Sequence, residues 1–309
     1  MRLNLPLATI LYAVCLPFPT LTFAQTIIKL TTASGGYLIV PVSINGSGPY
    51  PFLLDTGSNS TLVRNELLDT FGISSKKLTP ANVTAGVSYL HPTVAESVTV
   101  ADLSINGLKI EGIDDDQISR LRVSIQGVLG EDFLKHFDIL IDNHAKTLTL
   151  DHGFDLARSL TGDHLPLSFS GMRSGHSTAD RLVLGLNLPA SEVTTHLLID
   201  SGTNYATVFP SKSMPYRDQL VPGGTLLTFS GKNRCRIDFV TLEFGKDTFP
   251  NLRLASCEGV TRDKVDVDGT LPTSIFDRLF ISHASGYAIV NPQCLKPSAG
   301  SLPGSSMGH

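Results

Sequence analysis

The sequence predicts a mainly β chain folded as two pseudo-twofold-related, barrel-like lobes, and three observations lead there. Apolar and β-branched runs are short and broken by Gly, Asn, Pro and Ser, which is strand-and-turn grammar rather than helical periodicity. One pattern occurs twice: an apolar run delivers an Asp to a small hydroxyl residue, a Gly and a second hydroxyl residue, and another apolar run follows. The copies are Leu53-Leu54-Asp55-Thr56-Gly57-Ser58 and Leu198-Ile199-Asp200-Ser201-Gly202-Thr203, with the aspartates 145 positions apart. The flanking segments also repeat in order. Tyr37-Leu38-Ile39-Val40 and Leu182-Val183-Leu184-Gly185 each begin 18 residues before their Asp, and Gly127-Val128-Leu129-Gly130 returns as Gly269-Thr270-Leu271-Pro272, 142 positions later. Collinear anchors at nearly equal offsets indicate an internal duplication.

In chain order, Arg2 precedes a long uncharged run from Leu3 to Phe23, and Thr22-Phe23-Ala24 has small residues at the outer positions of a cleavage site. Residues 1–24 are expected to be a secretory signal cut after Ala24. The competing reading is a membrane anchor, and Pro6, Pro17 and Pro19 argue against the continuous helix it needs. The mature chain is therefore expected to be exported, periplasmic or extracellular, without stable membrane insertion. About 30 residues would then precede Asp55, too few for a long pro-segment.

A first lobe is expected over residues 25–160. It has strand-like runs at Tyr37–Ile44, Phe52–Leu54, Thr61–Val63, Ser97–Val100 and Leu108–Ile113, and a hairpin over 81–90 with Gly86 near its tip. After Gly130, the pair Glu131-Asp132 opens a short helix, and Asp138–Asp142 with Thr147–Leu150 reads as a closing hairpin. Residues 161–180 read as a linker, 181–296 as the second lobe, and 297–309, rich in Gly, Ser and Pro, as a loose tail.

Composition narrows the function classes. The chain has 309 residues, 41% hydrophobic and 17% charged, which suits two folded lobes rather than disorder. A net charge of −4 without a basic cluster gives no case for nucleic acid. Of the 4 cysteines, Cys15 lies in the expected signal; Cys235, Cys257 and Cys294 permit one disulfide in an exported protein, with the pairing open. There is no His-Glu-x-x-His and no Gly-x-Ser-x-Gly nucleophile turn between a strand and a helix. His136, His144 and the run Asp114-Asp115-Asp116 read as solvated, so no metal or cofactor is expected.

The two aspartates carry the chemistry. If the duplicated lobes pair about a pseudo-twofold axis, Asp55 and Asp200 meet at the interface. Two carboxylates that close cannot both ionise easily, so they share a proton. One can take a proton from water while the other donates to a carbonyl oxygen, which is hydrolysis without metal or covalent intermediate. Gly57 and Gly202 allow tight turns and close approach of the paired loops, Thr56 and Ser201 offer hydroxyls for bonds across the interface, and Ser58 and Thr203 are candidate donors to the carboxylates.

On these motifs, Asp-Thr-Gly-Ser and Asp-Ser-Gly-Thr with Gly-Val-Leu-Gly after the first, the chain resembles the pepsin/retropepsin-like aspartic proteases. Gly127-Val128-Leu129-Gly130-Glu131-Asp132-Phe133-Leu134 is similar to the retropepsin-like proteins of bacteria. The resemblance implies a bilobal pepsin-like fold, a peptide or protein substrate held between the lobes, Asp55 and Asp200 as the catalytic pair, and the hairpin with Gly86 and Tyr89 as a flap. Both aspartates in one chain imply a monomer. Pro272, where the pattern has Gly, departs from it and puts the support of Asp200 in question. The alternative is an exported peptide-binding protein that keeps the cleft with little or no turnover.

Overall fold

The computed structural model describes residues 25–73, 79–83, 86–114, 118, 123–170, 181–187, 194–209, 221–227, 234–257 and 267–295. The strands that carry the two aspartates are assembled in the same way in each half. In the first, Leu38–Ile44 and Ser47–Leu54 form a hairpin closed by Asn45 (φ 48°) and Gly46 (φ 77°), the two left-handed positions of the tight hairpin turn that Asn-Gly favours. Ser47–Leu54 then lies parallel to Gly127–Leu129, with Leu54 opposite Leu129, and Gly127–Leu129 pairs on its other edge with Leu62–Arg64, antiparallel. Asp55 thus leaves the end of one strand and the chain re-enters the sheet two strands away.

The second half repeats this. Arg181–Asn187 pairs with Thr194–Asp200, which lies parallel to Gly269–Pro272 with Ile199 opposite Leu271, and Gly269–Pro272 is antiparallel to Ala206–Val208. The central strands are covered on both faces, which explains why Leu53-Leu54, Val128-Leu129 and Leu197-Leu198-Ile199 are continuous apolar runs rather than alternating ones. Longer hairpins flank them, Gly86–Val100 with Leu103–Ile113 in the first half and Arg234–Phe244 with Asp247–Cys257 in the second. The duplication is therefore present in the hydrogen-bonded topology, and the fold is mainly β and bilobal.

The halves meet in one continuous sheet. The closing hairpin of the first, Asp138–Asp142 with Thr147–Asp151, pairs through Asp138–Asp142 with Arg278–Ser282 of the second, Ile139 opposite Ile281 and Ile141 opposite Leu279. Arg278–Ser282 forms the equivalent hairpin with Tyr287–Val290. Leu129, Ile139, Ile141, Leu271, Leu279 and Ile281 belong to a single buried cluster that spans this seam.

The linker expected over 161–180 needs correcting. Leu160–Thr161 pairs with Gln293–Cys294, and Leu165–Ser170 pairs with Arg181–Asn187 on one side and Tyr287–Val290 on the other. The strand Leu-Pro-Leu-Ser-Phe-Ser hides behind Pro166 and its serines, but its pairings tie it to the second half. Residues 171–180, the expected signal over 1–24 and the expected tail over 297–309 lie outside the described residues. Among the described residues no helix is long and apolar enough to cross a membrane. Cys235 is disulfide-bonded and stands opposite Cys257 in its ladder, whereas Cys294 is a free, exposed thiol.

Leu129 and Leu271 are both fully buried and occupy equivalent places behind the two Asp loops. Leu129→Ala and Leu271→Ala are each expected to cost about 2–5 kcal/mol in denaturant unfolding, the range for a buried Leu→Ala cavity. A cost near zero at either position would contradict the equivalence of the two halves.

Candidate active site

Each Asp loop is set locally before the two are brought together. The Gly57 N–H donates to Asp55 Oδ1 at 2.9 Å and the Gly202 N–H to Asp200 Oδ1 at 2.8 Å, so each carboxylate is held by its own turn. The Asp55 N–H donates to Leu129 O at 3.1 Å, which ties the loop to the parallel strand beside it.

Two hydroxyls then lock the loops to each other. Thr56 Oγ1 donates to Ile199 O at 2.9 Å and accepts from the Ser201 N–H at 3.0 Å. Ser201 Oγ donates to Leu54 O at 2.7 Å and accepts from the Thr56 N–H at 3.0 Å. The four bonds are reciprocal, each hydroxyl reaching the carbonyl just before the opposite Asp, and both side chains are buried. The close approach requires glycine on both sides. A Cβ on Gly57 would stand 2.5 Å from Asp200 Cγ, and one on Gly202 would collide in the same way with Asp55.

Ser58 and Thr203 do not take the part expected of them. Ser58 Oγ donates to Ser60 O at 2.8 Å and Thr203 Oγ1 to Tyr205 O at 3.4 Å. Both hydroxyls turn back to a carbonyl of their own loop, a competition typical of Ser and Thr in turns. The donors to the carboxylates are backbone N–H groups instead.

Burial pushes the Asp55 carboxyl above its ordinary value of 3.8, while the Gly57 N–H and a hydrogen bond with Asp200 pull the other way. The two aspartates therefore behave as one coupled acid rather than as two independent carboxylates. Tyr37 is a site neighbour that the sequence did not single out as such. It is buried, and its phenol is raised by burial and by the charges of Asp200, Tyr205 and Asp55. It sits beside Gly35, where an added Cβ would lie 3.1 Å from Asn204 Nδ2, so the loop before the first strand abuts the second Asp loop.

The support behind the two loops is unequal. Behind Asp55, Asp132 accepts from the Thr61 N–H at 2.8 Å and from Thr61 Oγ1 at 2.6 Å, and Thr61 Oγ1 accepts from the Gly130 N–H at 3.2 Å. The Glu131 N–H donates to Ser58 O at 2.8 Å. A Cβ on Gly130 would meet Ser60 O at 2.5 Å, so this glycine is sterically required. Behind Asp200, Pro272 is extended (φ −70°, ψ 136°) and buried opposite Asp200, and it fits without distorting the ladder. It has no N–H, so the Gly130 bond has no counterpart. Sequence reading took Glu131-Asp132 only as a helix start; the carboxylate of Asp132 also anchors the loop.

The hairpin expected as a flap exists as backbone, Thr79–Val83 paired with the start of Gly86–Val100, Val83 opposite Gly86 and Pro80 opposite Tyr89. Its turn and the side chain of Tyr89 lie outside the described residues. His136 and His144 are exposed, and among the described residues no cluster of His, Cys, Asp or Glu is arranged to hold a metal.

Residues 40–133, which include Asp55 and Gly127–Leu129, match the family model described as aspartyl protease. No curated protein matches the sequence. Among solved structures, a retropepsin-like aspartic protease from Rickettsia conorii is 22% identical, with 42% of this chain and 91% of that chain covered and a TM-score of 0.33. The chain thus resembles the aspartyl proteases by sequence over residues 40–133, and its second half repeats the hydrogen-bonded topology of its first.

Thr56→Ala removes two cross-lobe bonds and leaves Ile199 O and the Ser201 N–H buried and unpaired, so a loss of about 2–4 kcal/mol in denaturant unfolding is expected, with Thr56→Ser recovering most of it. The raised pKa of Asp55 sets a second expectation. A group whose folded value lies above its unfolded one stabilises fully below the unfolded value and loses that contribution as pH rises through the folded one. The Asp55 contribution is thus complete below pH 3.8 and declines as pH rises above it. Asp55→Asn should flatten the fall in melting temperature between about pH 4 and pH 7, and an unchanged slope would contradict the shared-proton state.

Proposed function

We propose that the chain is an aspartic endopeptidase that hydrolyses peptide bonds by activating water between Asp55 and Asp200. One observation carries this reading: the reciprocal Thr56–Ser201 bonds hold the loops so that each glycine faces the opposite carboxylate. With one proton on the pair, the ionised carboxylate takes a proton from water as its oxygen attacks the peptide carbonyl carbon. The protonated partner donates to the carbonyl oxygen. The resulting tetrahedral diol breaks its C–N bond when a carboxyl proton passes to the leaving nitrogen and one diol hydroxyl gives its proton to the other carboxylate as the C=O bond re-forms, which returns the pair to its one-proton state. The scheme needs no cofactor.

On this reading the substrate is an extended peptide segment lying between the lobes, with Gly86 and Tyr89 on a covering hairpin. The active form is a monomer, because both aspartates are in cis, and it is exported after cleavage near Ala24. A second reading, a peptide-binding protein with little turnover, draws on Pro272, which deprives the second loop of the N–H bond made by Gly130.

The two readings separate in one experiment. The purified chain is incubated with an unfolded protein from about pH 3 to pH 8, the span over which a coupled carboxylate pair titrates, with and without a transition-state-analogue inhibitor of aspartic proteases. Hydrolysis should be inhibitor-sensitive, with a bell-shaped acidic profile. Asp55→Asn and Asp200→Asn should each lower kcat/KM by about 10²–10⁴-fold or more, as expected for loss of a general acid–base group. Activity retained in either variant would sink the assignment, and a folded wild-type chain that binds peptides without cleaving them would favour the second reading.

A further inference from the structure

Glu131 and His283 make a buried polar contact that the proposed chemistry does not use. Glu131 follows Gly130 at the start of the short helix Glu131–Leu134, and its own N–H holds Ser58 of the Asp55 loop. Its side chain points away from that loop and into the second half of the chain. There Glu131 Oε2 lies 2.8 Å from Nε2 of His283, in the turn of the hairpin formed by Arg278–Ser282 and Tyr287–Val290. The side chains are 1% and 6% exposed, respectively. Glu131 Oε1 is buried with no hydrogen-bond partner among the described residues.

The other imidazole nitrogen fixes the proton count. Nδ1 is 2.6 Å from Phe137 O, and a carbonyl only accepts, so Nδ1 carries a hydrogen. Nε2 then bonds Glu131 in one of two ways. A neutral imidazole accepts from a protonated carboxyl, or an imidazolium donates to a carboxylate. Both need one proton on the Glu131–His283 line. With none, a carboxylate oxygen faces a nitrogen lone pair and the contact opens.

We propose that Glu131 and His283 are a positioning pair that shares one proton between the halves and braces the Asp55 loop from behind through the Glu131 N–H and Ser58 O. The positioning role rests on the hydrolytic reading above; the shared proton does not. Three bonds in series form the brace: Ser58 O to Glu131, Glu131 to His283, and His283 to Phe137 O. His283 also borders a shallow hollow with Lys135, His136, Asp138, Asp151 and His152, which gives the pair a route for proton exchange with solvent.

The surrounding charges agree with this geometry. Burial pushes the Glu131 carboxyl up, the His283 bond and charge oppose it, and Asp132 and Asp55 add to the rise. Burial alone would lower the His283 imidazole, yet its bonds to Glu131 and Phe137 O and the charges of Glu131 and Asp138 leave it above its ordinary value. Asp138, beside it, accepts from Ser282 Oγ at 3.1 Å and from the Ala284 N–H at 3.4 Å. Both members of the pair are raised, so their joint stabilisation is complete in acid and is lost as pH rises through the folded value of His283.

The test uses the full chain, with imidazole nitrogen NMR for the proton and hydrolysis of an unfolded protein for the positioning. His283, assigned by His283→Asn, should keep its Nδ1-bound proton and titrate above the other histidines. In Glu131→Gln its midpoint should fall by at least about one pH unit, the size expected when an adjacent opposite charge is removed from a buried group. Glu131→Leu should lower kcat by about tenfold or more with KM changed little, because displacement of a reacting group reduces turnover rather than peptide binding. Glu131→Gln, whose amide donates to neutral Nε2, should recover most of that loss. An unmoved His283 midpoint in Glu131→Gln, or full kcat in Glu131→Leu, overturns the proposal. Should Glu131→Leu fail to fold, Glu131→Gln and His283→Asn carry the same test. If wild type does not hydrolyse, the protease reading fails separately, and the NMR titration with a Glu131→Gln/His283→Asn double-mutant cycle in unfolding still decides whether the pair exists.

Discussion

Everything at the centre of this chain depends on two hydroxyls that each do two jobs. Thr56 Oγ1 and Ser201 Oγ each donate to a carbonyl and accept from an N–H across the lobe boundary. Strands ending side by side would leave those backbone groups buried and unpaired, at about 1–3 kcal/mol each. The hydroxyls remove that penalty and fix the loop separation in the same step. Asp55 and Asp200 are then close because the backbones behind them have no alternative partners. The carboxylates need not attract one another, and at high pH they repel.

That repulsion has to be absorbed by the remainder of the fold. One continuous buried cluster crosses the seam between the halves, and the pairing of Asp138–Asp142 with Arg278–Ser282 joins the closing hairpin of the first half to the sheet of the second. Asn143 adds polar stitches at the same border, donating to Thr273 O and Phe276 O. Lobes joined this way hold the two Asp loops between buried strands on both sides of the seam. Asp55, Glu131, Asp132 and Asp138 all shift upward, with burial the first cause in each.

The sequence displayed what is local or repeated. Asp-Thr-Gly and Asp-Ser-Gly mark turns through their own conformational needs, and the strand pattern around them recurs at a constant offset, so the dyad loops and the duplication were both visible. Thr56 and Ser201 were readable as cross-lobe hydroxyls because the duplication placed them opposite each other. Ser58 and Thr203 were misread, since a hydroxyl two residues from a free carbonyl in its own loop satisfies that carbonyl first, and only coordinates reveal the choice. The strand Leu165–Ser170 was hidden because its pairing partners, Arg181–Asn187 and Tyr287–Val290, compensate for a segment with weak strand character of its own.

Glu131 and His283 show the limit of such reading most clearly. They are 152 positions apart, and neither residue carries a motif that points to the other. Glu131 looked like an ordinary acidic residue at a helix start, a place where a carboxylate is normally solvated and interacts with the helix dipole. Here it is buried, with one oxygen unpartnered among the described residues, an expensive arrangement that surface exposure would have avoided. Its partner lies on the hairpin that closes the second half, so the contact forms only when both lobes are assembled. A bond conditional on the complete fold and placed directly behind the Asp55 loop couples assembly to the geometry of the two aspartates. Pro272 leaves the second loop without the Gly130-type bond, so the two halves, alike in topology, differ in one of the bonds behind their carboxylates.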